Sequence, residues 1–372
     1  DQSKLLSDQR SLIDQTRRLG FRESAIKDGE ATLKAEEARV AELSEEAERK
    51  KGYIEDKEAF ITRGKQALLE ERRELEELRK QLERQRSSQS GTHLAVTKGR
   101  AERGEDGEPI PAGHLNTVNV EGIELNLRYC TPGRALHGAS DKEGRAGESP
   151  KHLVELSTGY WLSETPVNQV LWSTVMGPKE WAVEGDLLPA DQISWLEAVR
   201  FCNRLSRAFG LSPAYKIVSD SRSSVTYKNT ATGYRMPTEA EWEHAARAGG
   251  KHKGDFAGEV PLDQLGWYIK NTDGAPRDLK SHQANGWSLY DFCGSVWEWC
   301  HDEWRKDAYR ARVKGGERAV IDPVNYSEQL TPKVIRGGAF YELSDSCRLS
   351  ARPGQSVDQS YGVGLRLCLP LI

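Results

Sequence analysis

Leu5, Leu12, Leu19, Ile26, Leu33, Val40, Ala47, Ile54, Ile61, Leu68, Leu75 and Leu82 fall on one strict seven-residue spacing, and every place in the series is apolar. An apolar residue at every seventh position keeps one seam on one side of a helix as it winds around a neighbour. Residues 1–88 are therefore predicted as a long helical, coiled-coil segment. The second seam is poor. Leu43 and Leu78 occupy the +3 place, but Asp8, Gln15, Arg22, Glu36, Lys50, Lys57 and Glu71 fill it elsewhere. A coil wants both seams apolar, so this one is weak, folds back on itself or is completed by a partner. Gly20, Gly29, Gly52 and Gly64 each cost about 1 kcal/mol inside a helix, and some of them can mark bends. The expectation is a homo-oligomerising or partner-binding stalk, with a solvated spacer helix as the alternative. Unbroken, it would reach about 120 Å at 1.5 Å per residue.

Residues 89–116 are rich in Gly, Ser and charge and read as a linker. All ten tryptophans lie beyond residue 160, which places the main core in residues 117–372, long enough for one large globular domain. Helices there are short and punctuated. In "TPVNQVLWSTVMG" Thr165 is the expected cap, Pro166 the first helical residue and Gly177 the stop. Ser194 with Glu197, and Thr238 with Glu241, form capping boxes. "VELSTGYWLS" and "GVGLRLCL" read as strands.

The net charge of −4 argues against a nucleic-acid partner for the whole chain. No apolar run approaches the roughly 20 residues that span a bilayer, and the N-terminus is charged from Asp1 onward, so a cytoplasmic location without a membrane span is the expectation. The six cysteines are scattered and form no CxxC, which speaks against a structural zinc site.

The blocks "GYWLSETPVNQVLWSTVMG", "LPADQISWLEAVRFCNRLS", "GYRMPTEAEWEHAARAG", "NGWSLYDFCGSVWEWCHDEW", "VIRGGAFYELSDSCRLSARPG" and "GVGLRLC" follow one another in an order that resembles the sulfatase-modifying-factor family, that of the formylglycine-generating enzyme. The resemblance covers roughly residues 119–368. It implies an α+β fold, the elaborated C-type-lectin-like one, here with an N-terminal coiled-coil helix. Arg235 and Arg336 are expected to fork onto buried carboxylates or carbonyls, with Glu239, Glu241 and Glu298 as acceptors. Trp242, Trp297 and Trp299 are expected in the core.

In the oxidases of that family two cysteines five residues apart, after the double glycine, bind copper. Thiolates are soft ligands suited to it. On this chain the second cysteine matches Cys347, whereas the first falls on Glu342. A carboxylate is no soft linear ligand and exchanges no disulfide, so the oxidase pair is half missing and Cys347 alone would carry any such catalysis. The iron-binding relatives use histidines partly supplied by a preceding helical domain. Here the first histidine is His93, and His114, His137, His152, His244, His252, His282 and His301 show no HxxxH or HxH spacing. The resemblance also implies structural calcium around a "GNVWEW" motif. This chain reads "GSVWEW": Ser295 weakens such a site, while Asp291 and Glu298 could still offer oxygens. No cofactor is required by the sequence.

Variable proteins of diversity-generating retroelements use the same scaffold and place ligand-contacting residues at the very C-terminus. Here Tyr341, Glu342, Ser344, Asp345, Ser346, Gln355, Ser356, Asp358, Gln359, Ser360 and Tyr361 alternate with structural-looking Gly, Phe and Arg residues close to the chain end. Tyr and Ser together make adaptable binding surfaces. The expectation is a non-catalytic head that offers these loops to a protein or other macromolecular ligand. The competing expectations are a copper oxidase or related iron oxygenase, and a structural adaptor acting through the coil.

Overall fold

The computed structural model describes residues 109–371 except 146, 219–223, 315 and 317. The chain divides into two compact units, Asp1–Ala95 and Val96–Ile372. The coiled coil expected for residues 1–88 and most of the linker expected for 89–116 lie outside the described residues.

The second unit opens with β1 (Leu115–Val120), β2 (Ile123–Cys130) and β3 (Gly133–His137), followed by β4 (His152–Leu156) and β5 (Tyr160–Ser163). β1 begins two residues inside the stretch read as linker, because Gly113 and His114 already exchange backbone hydrogen bonds with Tyr129. Two helices come next, α1 (Gln169–Met176) and α2 (Trp195–Ala208). A hairpin, β6 (Tyr215–Val218) with β7 (Ser224–Tyr227), leads to α3 (Glu239–Ala246). The remainder holds β8 (Trp297–Glu303), α4 (Ala308–Val313), β9 (Val320–Ile321), β10 (Lys333–Arg336), β11 (Gly354–Gln355), β12 (Val363–Leu365) and β13 (Cys368–Pro370).

The helix ends show the local chemistry at work. Ser194 and Thr238 each accept from the backbone N–H three residues on, while Glu197 and Glu241 reach back to the cap N–H, so both expected capping boxes form. The expectation for α1 needs correction. Its cap is Asn168, whose side chain accepts from the Leu171 N–H, not Thr165, and Pro166 precedes the helix. Asn is among the best cap residues. Gly177 does end the helix.

Four sheets result. The first runs β1-β2-β5-β13 and the second β11-β10-β8-β12, with β12 parallel to β8 and the other pairs antiparallel. The third is β3-β4-β9, and β6-β7 stands alone. The C-terminal strands β12 and β13 thus join two different sheets, each at an edge. One core cluster packs α1 and α2 around Trp172, Trp195, Phe201 and Trp299, with Trp172 stacked on Phe201 at 5.2 Å. The other gathers α3, Trp242, Trp287 and Phe292, with Trp242 edge-on to Phe292 at 5.0 Å. Trp242, Trp297 and Trp299 are all buried, as expected.

Candidate functional site

The segment after β10 is held from beneath by arginines. Arg336 donates to Glu243 at 2.5 Å and to the carbonyls of Leu349, Ser350 and Ala351, so one guanidinium ties the returning loop to α3. Arg352 forks onto both oxygens of Glu239 at 2.5 and 2.9 Å and also donates to the carbonyls of Gly147 and Arg305. Arg348 bonds both oxygens of Glu148, 200 residues away in sequence, at 2.9 and 3.2 Å. Burial alone would raise the carboxyl of Glu239, but Arg352 and Arg336 outweigh it and hold it down at about 2. Glu243 is likewise held well below the carboxylate range, against burial, by Arg336 and Arg247. The expected acceptors Glu239, Glu241 and Glu298 all bind arginines, Glu241 taking a fork from Arg235 at 2.6 Å on each oxygen.

On this frame the loop turns tightly. Gly338 sits at φ +81°, and a Cβ there would lie 2.7 Å from Cys347 Sγ. Gly362, at φ +64°, leaves room for the Tyr341 ring, which a Cβ would meet at 2.3 Å. Only glycine satisfies both the left-handed backbone and the close approach. Between them Ser344–Cys347 forms a 3₁₀ turn.

The two positions that decide the oxidase reading are both occupied by bonded, inward groups. Glu342 accepts from the Trp297 indole N–H at 3.3 Å and from the Ser346 hydroxyl at 3.0 Å. Cys347 is fully buried, its Sγ 3.8 Å from the Leu343 carbonyl, and burial, with Cys293 and Glu342 nearby, pushes its thiol up and keeps it protonated. The six cysteines are all free and buried.

A cleft of about 330 Å³ opens beside this turn. It brings together five of the expected ligand-binding residues: Tyr341, Glu342, Ser346, Gln355 and Tyr361. Tyr341 and Tyr361 form one aromatic wall, rings 5.1 Å apart and the Tyr341 hydroxyl donating to the Tyr361 carbonyl at 3.2 Å. The other expected residues do not line it. Asp345 is taken up by ion pairs with Arg348 and Arg145. Ser356 and Asp358 bond each other, while Ser344 and Gln359 are exposed and Ser360 is half-buried. Sequence reasoning missed Arg145, Glu148 and Trp304, which line the cleft from distant parts of the chain, and Trp297, which was assigned to the core alone. It also missed Leu343, 70% exposed at the tip of the turn. An apolar residue inside "YELSDS" was the available signal.

The calcium expectation fares unevenly. Glu298 gives both oxygens to Arg366, at 2.8 and 2.9 Å, and one of them also to the Trp242 indole at 2.7 Å, so its charge is answered by a guanidinium. Asp291 keeps one buried oxygen, and Ser295 its hydroxyl, without partners among the described residues. Asp291 and Ser295 thus keep side-chain oxygens that could join loop carbonyls and water around a calcium ion, whereas Glu298 is committed to Arg366. His244, buried on α3, bonds the Thr131 carbonyl at 3.1 Å and takes a structural place.

Short mixed sheets, three capped helices and an arginine-pinned C-terminal loop beside a cleft define a mixed α/β domain of the formylglycine-generating, C-type-lectin-like kind. The chain belongs to the family of the sulfatase-modifying factor enzyme 1-like domain, which matches residues 128–370. Among curated proteins it is 28% identical over 216 residues to "Chaperone protein LppX" of Paenibacillus barcinonensis, covering 49% of this chain and 76% of that one. It is 33% identical over 167 residues to the formylglycine-generating enzyme of Thermomonospora curvata, covering 40% of this chain and 53% of the enzyme. It thus spans about half the length of that enzyme. Among solved structures, Treponema denticola variable protein 1 superposes with a TM-score of 0.61 at 26% identity, covering 69% of this chain and 99% of that one. PvdO from Pseudomonas aeruginosa, at 19% identity, a TM-score of 0.53 and coverage of 70% and 100%, shares the fold. Among the described residues no helix is long and apolar enough to cross a membrane.

Proposed function

We propose that the domain is a non-catalytic binding module whose C-terminal cleft receives a protein or other macromolecular ligand. The observation that carries this reading is Glu342, bonded to Trp297 and Ser346 at the position where the oxidases place their first cysteine. A carboxylate held between an indole and a hydroxyl supplies neither a soft copper ligand nor a thiol for exchange. The partner cysteine, buried and protonated, cannot make up the loss.

The likeness to a variable protein supports the same reading, because that protein too carries the scaffold. The exposed Tyr361 and Leu343 beside the Tyr341 wall supply rigid amphipathic area, and Ser344 and Gln359 supply adaptable polar groups. In this reading the loops from Tyr341 to Tyr361 are the varied surface of a diversity-generating-retroelement variable protein. Residues 1–88 would multimerise the heads, adding avidity to weak single contacts, and the protein would act in the cytoplasm without a required cofactor.

The test is metal content of the purified chain before and after loading with copper(I) or iron(II), with Cys347→Ser in parallel. No stoichiometric redox metal in either protein supports a recognition surface. Tight metal in the parent that is lost in Cys347→Ser returns the loop to catalysis and overturns the proposal.

A further inference from the structure

A second concavity lies away from the C-terminal cleft and owes nothing to it. A groove of about 480 Å³ runs between the outer face of α2 and the hairpin strand β6. Its helix side carries Arg200, Arg204 and Arg207, spaced by four and three residues and so stacked on one face. Lys216 stands across from them on β6, and all four cations are exposed. Arg204 donates to the Met176 carbonyl at 3.1 Å, and none of the four makes an ion pair with any described residue. No acidic residue lines the groove. Glu197, one turn earlier on α2, is already engaged by Ser194 and Lys179.

The strand side is an open edge. β6 pairs only with β7, in the register Tyr215↔Tyr227, Lys216↔Thr226, Ile217↔Val225. The Lys228 N–H donates to the Ala214 carbonyl, and the Val225 N–H turns away to Glu328. In an antiparallel pair the hydrogen-bonded and non-bonded positions alternate, so Tyr215 and Ile217 both point their N–H and C=O groups away from β7. The two groups of Tyr215 are answered by the Asn203 side chain, at 3.2 and 2.7 Å. Those of Ile217, which lines the groove, have no partner among the described residues. A basic helix face therefore lies alongside an unfilled strand edge.

We propose that this groove binds an extended acidic peptide, which adds to the β6 edge at Ile217 and sets its carboxylates against Arg200, Arg204, Arg207 and Lys216. Strand addition supplies backbone bonds and leaves side chains to give specificity, and guanidinium forks suit carboxylates. A nucleic acid fits less well. The aromatic residue at the groove, Tyr215, is buried and offers no stacking face, and the chain as a whole is at −4.

The test is fluorescence anisotropy with the full chain and a labelled peptide alternating glutamate and threonine, at low and high salt. The expected result is salt-sensitive binding that weakens by about tenfold or more when Arg200→Glu, Arg204→Glu and Arg207→Glu are combined. Ile217→Pro, which removes the outward N–H, should weaken it comparably, and Ile217→Val should leave it intact, with far-UV circular dichroism confirming that each variant is folded. The proposal is overturned if the acidic peptide does not bind, if a lysine–threonine peptide binds equally, or if single-stranded RNA of the same length binds more tightly. Unchanged affinity in a folded Ile217→Pro variant would also overturn strand addition.

Discussion

Replacing Arg352 with methionine should expose how the loop frame is held. Its side chain is fully buried, as is that of Glu239, which receives two of its hydrogen bonds. Methionine fills most of the same volume but leaves a carboxylate inside the domain with the Tyr309 hydroxyl at 3.2 Å, Arg336 at 3.6 Å and the weaker influence of Arg312. Removing one partner of a buried pair costs about 3–5 kcal/mol, because the other charge stays buried and uncompensated. The pH dependence gives an independent check. Glu239 is held at about 2 against an ordinary value of 4.5, so its contribution is present above the ordinary value and lost as pH falls toward 2. Urea unfolding of Arg352→Met should therefore show a deficit of about 3–5 kcal/mol at neutral pH that narrows as the medium is acidified. Adding Glu239→Gln should recover part of it, since the orphaned charge disappears. A deficit below about 1 kcal/mol, or one unchanged between neutral and acid pH, would refute the claim that this ion pair pins the loop.

Gly362→Ala should destabilise by about 1–3 kcal/mol, from the left-handed backbone and the collision with the Tyr341 ring; adding Tyr341→Ala should recover only the part due to collision, read by thermal unfolding. Glu342→Ala removes the acceptor of the Trp297 indole and the Ser346 hydroxyl and should cost about 1 kcal/mol, with a shift in tryptophan fluorescence; no change in either would place Glu342 outside the loop's support. The rings of His137 and His301, driven down chiefly by burial, should stay neutral when the folded protein is taken to pH 5, with the stability they contribute present above about 6.5 and lost as pH falls. Imidazole proton shifts that titrate near the ordinary histidine value would contradict this.

Local chemistry was the most legible part of this chain. Ser194 with Glu197 and Thr238 with Glu241 announce their helices because a capping box is complete within four residues. Thr165 misled because two good cap residues compete over a short stretch, and the choice of Asn168 follows from the bridge that pairs it with Pro189. The acceptor role of Glu239, Glu241 and Glu298 could be anticipated, yet Arg336 settles mainly on Glu243. Which carboxylate meets which guanidinium depends on packing of α3 against β10 rather than on sequence spacing. The cleft was half visible for a similar reason. Tyr341 and Tyr361 lie in one C-terminal stretch, whereas Arg145 and Glu148 arrive through contacts spanning some 200 residues. No local pattern encodes such a meeting.

If the C-terminal loops are the proposed binding surface, the distribution of bonds around them lets that surface change without the scaffold being remade. The returning backbone at Leu349, Ser350 and Ala351 is fixed by Arg336, and Arg352 and Arg348 are anchored to Glu239 and Glu148. Those anchors belong to buried side chains, and Glu148 and Arg352, which form part of the cleft lining, are committed to Arg348 and Glu239. Leu343, Ser344 and Tyr361 project from the held backbone with large exposed areas, as does Gln359. Substitutions at such exposed positions usually change stability by no more than about 0.5 kcal/mol, whereas any change to the guanidinium frame strands a buried charge. In the proposed reading, selection on ligand contacts can therefore act on the exposed set while the frame stays constant. Glu342 and Ser346 stand between the two sets, half-buried and bonded to Trp297 and to each other. They mark how far into the cleft the sequence can change before the fold itself resists.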